Sequence, residues 1–259
     1  MISVIIRNKN QEKALGFLLK NLTERYAEDI AEIIVIDNLS SDNSKAVSEQ
    51  FGAEFVTIKN FSYGGSANFA AQQANFPFVV MFSAHSYPVS HDFFKLIKSK
   101  FDENSNLAGV RCLHNPNDYR NYINNIPAKE DPNKSGLIFS GSAFRKSVWE
   151  IHPFREDVAT FEDKEWTVRV LKAGYRIDFV PSIFCYQIKR TQKQLFFRFK
   201  NDLVGNYQLW HEHINFLSVS KGFVTSVLNL VKNFFVDFWY AVLRFGHGVK
   251  FLFNKPDKF

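Results

Sequence analysis

Two adjacent carboxylates in the segment Phe161–Trp166 (FEDKEW) are candidates for proton-transfer chemistry. Glu162 and Asp163 open a predicted helix, and the positive end of a helix dipole keeps carboxylates ionised. An ionised carboxylate that faces a cleft can take the proton from an attacking hydroxyl. Acidic residues are also common in the first turn of helices that have no catalytic role. The spacing alone therefore leaves catalysis and plain helix stabilisation both open.

A second acidic group follows a predicted strand in the segment IVIDNLSSDNS. Asp37 stands at the strand's carboxyl end, where a carboxylate can accept hydrogen bonds from a ribose hydroxyl or a base N–H. Asp42, five residues later, is better explained as a helix cap. The glycines of Tyr63–Asn68 (YGGSAN) do not form a G-x-G-x-x-G directly after a strand, and G-x-x-x-x-G-K-[ST] does not occur. Classical dinucleotide and P-loop sites are therefore disfavoured.

Short apolar segments rich in β-branched residues alternate with helix-length segments over the first hundred residues. Four strands are predicted, Ile2–Ile6, Glu32–Asp37, Glu54–Ile58 and Phe78–Ser83, with three helices between them, Gln11–Thr23, Asn43–Phe51 and Gly65–Asn75. This alternation predicts an α/β fold with a parallel sheet. Ligands of such sheets bind beyond the carboxyl ends of the strands. The residues expected there are Arg7 and Asn8, Asp37 and Asn38, and Ser83–Ser86.

The middle of the chain is less regular. Asn115–Ser135, rich in Pro, Asn and Asp, is predicted to be a long surface excursion, either an acceptor-side loop or a lid. The elements predicted after it are a strand over Leu137–Ser140, a helix over Arg145–Ile151, a helix over Glu162–Ala173 ended by Gly174, and a strand over Tyr175–Val180 closed by Pro181.

Composition excludes several protein classes. Of the 259 residues, 46% are apolar and 22% are charged, which is typical of a globular chain and excludes a disordered or collagen-like one. Cys112 and Cys185 have neither metal nor redox spacing, so we expect a reducing compartment. The first residues, MISVIIRNKNQ, lack the apolar length of a signal peptide or a membrane span.

The basic charge lies in the C-terminal tail. Residues 188–259 contain eleven Lys and Arg against four Asp and Glu, a net charge of +7, whereas residues 1–187 carry −1; twelve of the 29 Phe also lie in the tail. A basic, aromatic tail suits nucleic acid or an anionic membrane surface. The negative balance of the body disfavours nucleic acid.

A narrow polar stripe runs along Phe223–Phe245, at Ser226, Asn229, Asn233, Asp237 and Arg244. Charges at this stripe and at Lys232 argue against a spanning helix. An in-plane membrane helix and a helix packed on the body or on a partner subunit are both consistent with the pattern.

Six segments, in this order, resemble inverting family 2 glycosyltransferases with the GT-A fold. They are SVIIRNKN, EIIVIDNLSSDNS, FSYGGSANFAAQQA, VVMFSAHSYP, FSGSAFRKSVWE and FEDKEWTVRVLKAGYRIDFVP, within residues 1–190. The resemblance implies a Rossmann-like, mostly parallel sheet flanked by helices over residues 1–187, with a helical tail over residues 188–259. It also implies a nucleoside-diphosphate sugar as donor.

The resemblance further implies roles for single residues. Arg7, Asn8, Asp37 and Asn38 would hold the nucleoside, Asn68 would lie beside it, and Ala84 and His85 would lie at the diphosphate. Asp163 matches the general base that deprotonates the acceptor hydroxyl, with Glu162 as its neighbour.

Two departures from the family pattern affect the metal. Ala84-His85-Ser86 stands where the family usually has Asp-x-Asp, and Cys185-Tyr186-Gln187 stands where a histidine often follows the last strand. A divalent metal remains a candidate cofactor, because a neutral His85 could bind Mn²⁺, although Mg²⁺ prefers oxygen ligands. Otherwise the leaving diphosphate needs a cation. The candidates are an imidazolium at His85 and the side chains of Arg145, Lys189 and Arg190.

We therefore expect an enzyme that moves a sugar to a hydroxyl of a lipid-linked or growing surface glycan, as in capsule or O-antigen assembly. The tail would hold it at the cytoplasmic face of the cell membrane, and oligomerisation stays open. One alternative is a non-catalytic sugar-nucleotide-binding or assembly subunit with a degenerate metal site. Another is a nucleotidyltransferase-like protein, whose basic Gly-rich loop and pair of metal carboxylates are not visible in the sequence.

Overall fold

The computed structural model describes residues 1–258, in which eight strands form one sheet. The strands are β1 (Ile2–Asn8), β2 (Glu32–Asp37), β3 (Glu54–Thr57), β4 (Phe78–Ser83), β5 (Ser86–Pro88), β6 (Leu107–Leu113), β7 (Ser142–Arg145) and β8 (Arg176–Tyr186). Their order across the sheet is β3-β2-β1-β4-β7-β6-β8-β5. The first four strands are parallel, β7 is antiparallel to β4 and β6, and β5 is antiparallel to β8.

Helices cover both faces of this sheet, and two further helices follow the last strand in the sequence. They are α1 (Glu12–Arg25), α2 (Ser44–Gln50), α3 (Tyr63–Gln73), α4 (Phe93–Glu103), α5 (Pro116–Ile123), α6 (Pro132–Ser135), α7 (Lys146–Ile151), α8 (Glu162–Lys172), α9 (Gln192–Trp210) and α10 (Phe216–Phe253). The predicted α/β class, with a mostly parallel sheet and a helical C-terminal part, is confirmed. Gly174 adopts φ 92° directly after α8, as expected of a residue that ends a helix.

The core has two layers because successive side chains of a strand point to opposite faces of the sheet. In β1, Val4 and Ile6 pack in the layer that contains Leu18 of α1, whereas Ile5 packs in the layer that contains Trp166 of α8. Since both faces are covered, the central strands are apolar at nearly every position. This explains why their sequences are so easily recognised.

The carboxyl ends of six strands lie at the same edge of the sheet, which we call the strand-end edge. Because β1, β2, β3, β4, β6 and β8 all run in the same direction, they end there at Asn8, Asp37, Thr57, Ser83, Leu113 and Tyr186. This edge is where a ligand of a parallel sheet is expected.

The predicted strand over Leu137–Ser140 is wrong, and the strand lies five residues later as β7. Instead of joining the ladder, Leu137 donates its backbone N–H to Oγ1 of Thr167, and Phe139 donates its own to Oδ2 of Asp163. Side chains of α8 thus satisfy the backbone of this apolar segment and hold it outside the sheet.

The predicted end of the last strand at Pro181 is also wrong, because β8 continues to Tyr186. Arg111 pairs with Phe179 and Leu113 with Ile183, so β8 contains extra residues at this point. A bulge leaves its extra residues unpaired, and proline, which has no N–H to donate, is tolerated there.

The excursion at Asn115–Ser135 contains α5 and α6, and it is anchored by buried charges. Oδ1 of Asp118, which is fully buried, accepts hydrogen bonds at 3.1 and 2.8 Å from Nε and Nη2 of Arg111. Burial by itself would raise the pKa of Asp118, but the hydrogen bond from His114 and the charge of Arg111 outweigh it and lower the pKa. The excursion is therefore pinned to β6.

The chain divides into two compact units, one of residues Met1–Trp210 and one that begins at His211. The sequence-based division lies between residues 187 and 188, so α9 belongs to the first unit. Its buried Gly205 is needed there, because an added Cβ would lie 2.7 Å from the ring of Phe161. In the second unit, α10 has no buried residue. Within residues 1–258, no helix combines the length and apolarity that crossing a bilayer requires.

We expect Asp118→Asn to destabilise the protein strongly. Breaking one partner of a buried ion pair leaves an uncompensated charge and costs about 3–5 kcal/mol. Urea denaturation would measure this loss. The matched control is Asp157→Asn, which removes the exposed ion pair with Arg155 and should leave the free energy of unfolding nearly unchanged, because solvent screens exposed pairs. Equal stabilities of the two variants would contradict the anchoring role of Asp118.

Candidate active site

A buried ion pair stands at the centre of the strand-end edge. The guanidinium of Arg7, near the end of β1, donates to Oε1 of Glu162 at 3.2 Å. Its other hydrogen bonds reach Oγ of Ser66 and the carbonyl of Phe139, each at 3.3 Å. Its carbon Cζ lies 5.8 and 5.6 Å from the ring centres of Tyr63 and Phe139. Arg7, which the resemblance assigns to the nucleoside, is thus directed mainly towards the start of α8.

Glu162 is buried, and its environment raises its pKa towards neutral. Burial, followed by the charge of Asp163, raises the pKa of Glu162 to about 7, although Arg7 opposes the shift. The carboxyl group therefore exchanges its proton close to neutral pH.

Asp163 is held by backbone groups on both of its oxygens. Oδ2 accepts the N–H of Phe139 at 2.8 Å, and Oδ1 accepts the N–H of Lys164 at 2.7 Å. Each oxygen keeps a further lone pair, and 8% of the residue remains accessible. A fixed carboxylate with a free lone pair has the geometry of a base that receives a proton from a bound hydroxyl. That role of Asp163 stays a prediction.

The residue before this pair has an unusual backbone. Phe161 adopts φ 67° and ψ 28°, a left-handed conformation that is rare for a bulky side chain. Its ring packs against Gly205 of α9, and Nζ of Lys164 lies 4.2 Å from the ring centre. Such a conformation persists only where surrounding contacts hold it, and it is often found next to functional groups.

The predicted nucleoside residues at β1 and β2 do come together. Oδ1 of Asp37 accepts Nδ2 of Asn8 at 2.8 Å and the hydroxyl of Ser40 at 2.6 Å, and Oδ2 accepts the N–H of Ser40 at 2.7 Å. Asn38 follows directly, and its N–H donates to the carbonyl of Asn8. Within residues 1–258, Oδ1 of Asn8 is buried without a hydrogen-bond partner, so it can accept a hydrogen bond from a ligand. Asp37 mainly shapes the turn, while Asn8 offers the open acceptor.

Asp42 binds the first N–H groups of two helices, which is the capping function predicted for it, although Asn43 is the N-cap residue of α2. Its Oδ1 accepts the N–H of Ser44 in α2, and its Oδ2 accepts the N–H of Glu12 in α1. One carboxylate therefore caps two helices.

The side-chain amide of Asn68, which is predicted to lie beside the nucleoside, forms its hydrogen bonds within the protein. Its Oδ1 accepts Nε1 of Trp149 and the N–H of Phe154, both at 2.9 Å. Its Nδ2 donates to the carbonyl of Phe154 and to Oε1 of Glu156. These four bonds use both amide atoms, so Asn68 ties α3 to the segment after α7.

His85 is neutral, so the predicted imidazolium is wrong. Burial, together with the nearby charges of Arg190 and Arg7, lowers the pKa of His85 to about 4. Its Nδ1 lies 2.8 Å from Oε1 of Gln11. An amide oxygen can only accept, so the proton is on Nδ1 and Nε2 carries the lone pair. Nε2 is buried and has no partner within residues 1–258.

The three cations proposed for the diphosphate have different surroundings in the structure. Arg145 pairs with Phe78 at the opposite end of β4, and its guanidinium donates to backbone carbonyls of residues 101, 104 and 107. It is therefore too remote to serve the diphosphate. Lys189 is exposed. Arg190 donates from Nη2 to the Tyr186 hydroxyl at 3.2 Å, and the edge of the Tyr186 ring contacts His85 with 4.8 Å between ring centres.

A divalent metal finds few protein ligands at this edge. Ala84 is buried and supplies no ligand atom, whereas the lone pair on Nε2 of His85 could bind Mn²⁺. Nowhere in residues 1–258 do three or more His, Cys, Asp or Glu side chains cluster so as to hold a metal ion. The residues present do not form a metal site by themselves.

Sequence reasoning missed Gln11 and Tyr63 as parts of the site. Gln11 follows the end of β1 by three residues, a position that could have marked it. Tyr63 is brought to Arg7 by the packing of α3, and no local sequence pattern predicts this contact. Burial raises the pKa of Tyr63, with the charge of Arg7 acting against the shift.

Solved glycosyltransferases share this fold. The mannosyltransferase PcManGT from Pyrobaculum calidifontis, solved with GDP-Man and Mn²⁺, has a TM-score of 0.65 at 19% identity, over 82% of this chain and 65% of its own. Residues 1–349 of TarS from S. aureus give 0.56 at 18% identity, over 72% and 60%. Glucosyl-3-phosphoglycerate synthase from Mycobacterium tuberculosis, solved with Mn²⁺, UDP and glucosyl-3-phosphoglycerate, gives 0.57 at 14% identity, over 76% and 75%.

These likenesses concern the fold, and two of the structures contain Mn²⁺ together with a nucleotide or a nucleotide sugar. The present chain spans less than two thirds of the length of PcManGT and of the TarS chain. No curated protein matches it in sequence.

A family model identifies the chain directly. The model described as glycosyl transferase family 2 matches residues 3–161, which is more than half of the chain and includes β1 to β7. The match stops directly before Glu162 and Asp163, so it covers the ends of β1, β4 and β6 but neither the pair of carboxylates nor β8. By this match over its sheet, the chain belongs to glycosyl transferase family 2.

Proposed function

We propose that the protein transfers a sugar from a nucleoside-diphosphate sugar to a hydroxyl group of an acceptor, with inversion at the anomeric carbon. One observation carries the proposal. Asp163 is held by two backbone N–H groups at the edge where the strands of a nucleotide-binding sheet end. A carboxylate fixed in this way can act on a hydroxyl bound beside it.

The chemistry assigned to Asp163 is a single displacement. The acceptor hydroxyl gives its proton to Asp163 while its oxygen attacks the anomeric carbon from the side opposite the diphosphate. The bond from that carbon to the diphosphate oxygen breaks, and its electron pair leaves with the nucleoside diphosphate. The proton then passes from Asp163 to water. Attack from the opposite side inverts the configuration.

The donor's nucleoside is assigned to the ends of β1 and β2. Oδ1 of Asn8 is an unpartnered acceptor there, and it suits an N–H group of the base. Asp37 keeps the loop after β2 in place through Ser40. Arg7 acts indirectly, since its charge is compensated by Glu162.

A non-catalytic subunit that binds sugar nucleotides is the second candidate. Ala84, at the place of a metal-binding acid, favours it. The two candidates agree on donor binding and differ in whether Asp163 matters for turnover.

The acceptor we assign is a lipid-linked or growing surface glycan at the inner face of the cell membrane. The support comes from α10, whose apolar face is formed by Phe223, Val227, Phe234, Phe238 and Phe245, all at least 44% exposed. Four cations of this helix, Lys221, Lys232, Arg244 and Lys250, stand against the single acid Asp237. An exposed apolar face with basic flanks suits an anionic lipid surface.

We expect Asp163→Asn to bind the donor as the wild type does and to lose turnover. Calorimetric titration with UDP-, GDP- and dTDP-sugars would measure binding, and release of nucleoside diphosphate, with water or a lipid extract as acceptor, would measure turnover. Loss of a general base lowers the rate by about 10²–10⁴-fold. Asp157→Asn, a change of the same kind at an exposed site, is the control. If the Asp163→Asn variant turns over donor at the wild-type rate, Asp163 is not the base. If the wild-type protein binds donor without turnover, the non-catalytic subunit is favoured.

Glu162→Gln is expected to change thermal stability in a pH-dependent way. The folded protein holds the Glu162 proton more tightly than the unfolded chain does, because its pKa is raised from 4.5 to about 7. The stability that this provides is present below about pH 4.5 and is lost as the pH rises through about 7. Gln mimics the protonated form, so the Tm of the variant minus that of the wild type should increase between about pH 5 and about pH 8.

The control for this measurement is Glu24→Gln, because Glu24 is exposed on α1 beside Lys20. Its Tm difference should not vary with pH. A pH-independent difference for Glu162→Gln as well would show that the Glu162 carboxyl is not held protonated by the fold.

Phe234→Glu should weaken binding to vesicles that contain phosphatidylglycerol. Burial of a Phe side chain contributes about 1.5–3 kcal/mol, so we expect at least a tenfold fall in the partition coefficient in a sedimentation assay. Asn229→Glu adds the same charge on the polar stripe of α10 and should have a much smaller effect. An equal fall in the partition coefficient of both variants, or wild-type vesicle binding by Phe234→Glu, would contradict a membrane-binding role for this face.

A further inference from the structure

Arg190 is a cation without an acidic partner at the strand-end edge. It lies in the segment between β8 and α9 and is half-buried. Its guanidinium donates to the hydroxyl of Tyr186 at 3.2 Å and lies 5.9 Å from the centre of that ring. Among the ion pairs of residues 1–258 none includes Arg190, whereas Arg7 is paired with Glu162. The positive charge of Arg190 is therefore available to an anionic ligand.

His85, whose ring contacts that of Tyr186, presents a hydrogen-bond acceptor, whereas Arg190 presents donors. Gln11 fixes the proton on Nδ1, so Nε2 presents a lone pair and cannot donate a hydrogen bond to a phosphate oxygen. Nε2 is buried without a partner, and a buried polar atom in this state is costly unless a ligand satisfies it. Its partner must be a cation or an O–H or N–H group.

A divalent cation is the less suitable partner for Nε2. Ala84 contributes no ligand, and Arg190 and Arg7 are near enough that their charges help to lower the pKa of His85. The charge of Arg190, which no acid compensates within residues 1–258, would repel a metal ion at Nε2. A hydroxyl group of a sugar supplies the missing hydrogen without adding charge.

We propose that Arg190 and His85 together replace a divalent ion at this site: the Arg190 guanidinium binds the donor's diphosphate, and Nε2 of His85 accepts a hydrogen bond from a hydroxyl of the donor sugar. Donor binding then needs no metal. This inference rests on the proposed function, since it concerns the same nucleoside-diphosphate sugar.

The geometry suits both halves of the proposal. A guanidinium presents a planar fork of N–H groups that matches phosphate oxygens, and the contact with Tyr186 restricts the orientation of Arg190. The Tyr186 ring also touches His85, so one aromatic side chain orders the cation and the imidazole relative to each other. Arg190 would also stabilise the negative charge that develops on the leaving diphosphate.

Calorimetric titration of the full chain tests this, with UDP and GDP, their monophosphates and their sugar conjugates, each with Mn²⁺ and with EDTA. We expect the wild type to bind its diphosphate equally well in both buffers. Arg190→Ala should weaken the diphosphate about tenfold to hundredfold, as expected for lost charge-assisted hydrogen bonds, and should leave the monophosphate nearly unchanged. Arg190→Lys should restore part of the affinity. Arg198→Ala, which removes an arginine of α9 that pairs with Asp202, is the control and should change neither.

His85→Ala should weaken the sugar conjugate while the affinity for the free diphosphate stays the same, because only the conjugate carries the hydroxyl. Binding that requires Mn²⁺, or an Arg190→Ala variant with wild-type affinity for the diphosphate, would overturn the inference and leave the proposed function intact. A wild type of native Tm that binds none of the nucleotides would overturn both.

Discussion

The buried ion pair between Arg7 and Glu162 joins the end of β1 to the first turn of α8 across 155 positions of the chain. Two charges inside a protein are stable only when they satisfy each other and their remaining hydrogen-bonding groups. Arg7 meets this condition through Ser66 and the carbonyl of Phe139. The start of α8, and with it Asp163, is placed against the strand-end edge by this requirement.

The position of residues 136–140 also depends on the placement of α8. From one side, Arg111 donates to the carbonyl of Gly136 at 2.7 Å, while Arg111 is itself bound to Asp118. From the other side, Thr167 and Asp163 accept the N–H groups of Leu137 and Phe139. Two buried polar networks thus hold the same short segment. The acid that we assign as the base is also part of the scaffold that orders its surroundings.

The strand-end edge divides its charges between its two sides. Around β1 and α8, Arg7 and the carboxylates compensate one another. Around β5 and β8, Arg190 has no acid, and the neutral His85 has an open lone pair. This asymmetry suits a ligand whose anionic part lies beside β8. In our proposal, Arg190 binds the diphosphate in place of a metal, and an acid at the position of Ala84 is therefore not needed.

The first four strands and three helices could be predicted from sequence, because burial on both faces makes each strand locally apolar and each helix locally amphipathic. The same local argument failed at Leu137–Ser140, which is equally apolar, because side chains of α8 satisfy its backbone. It also failed at Pro181, where pairing on both sides of a bulge carries the strand through.

For the site, local pattern was sufficient to nominate Asp37 and the pair Glu162–Asp163 as candidates, since they end a strand or open a helix. The roles of Asp163 and His85 came from the family resemblance and stay predictions. The raised pKa of Glu162 and the lowered pKa of His85 were decided by the tertiary structure alone. So were the hydrogen bonds of Asn68 within the protein and the position of Arg145 at the opposite end of β4. These properties arise from burial and from neighbours distant in sequence, and such contacts do not exist until the sheet and its helices have assembled.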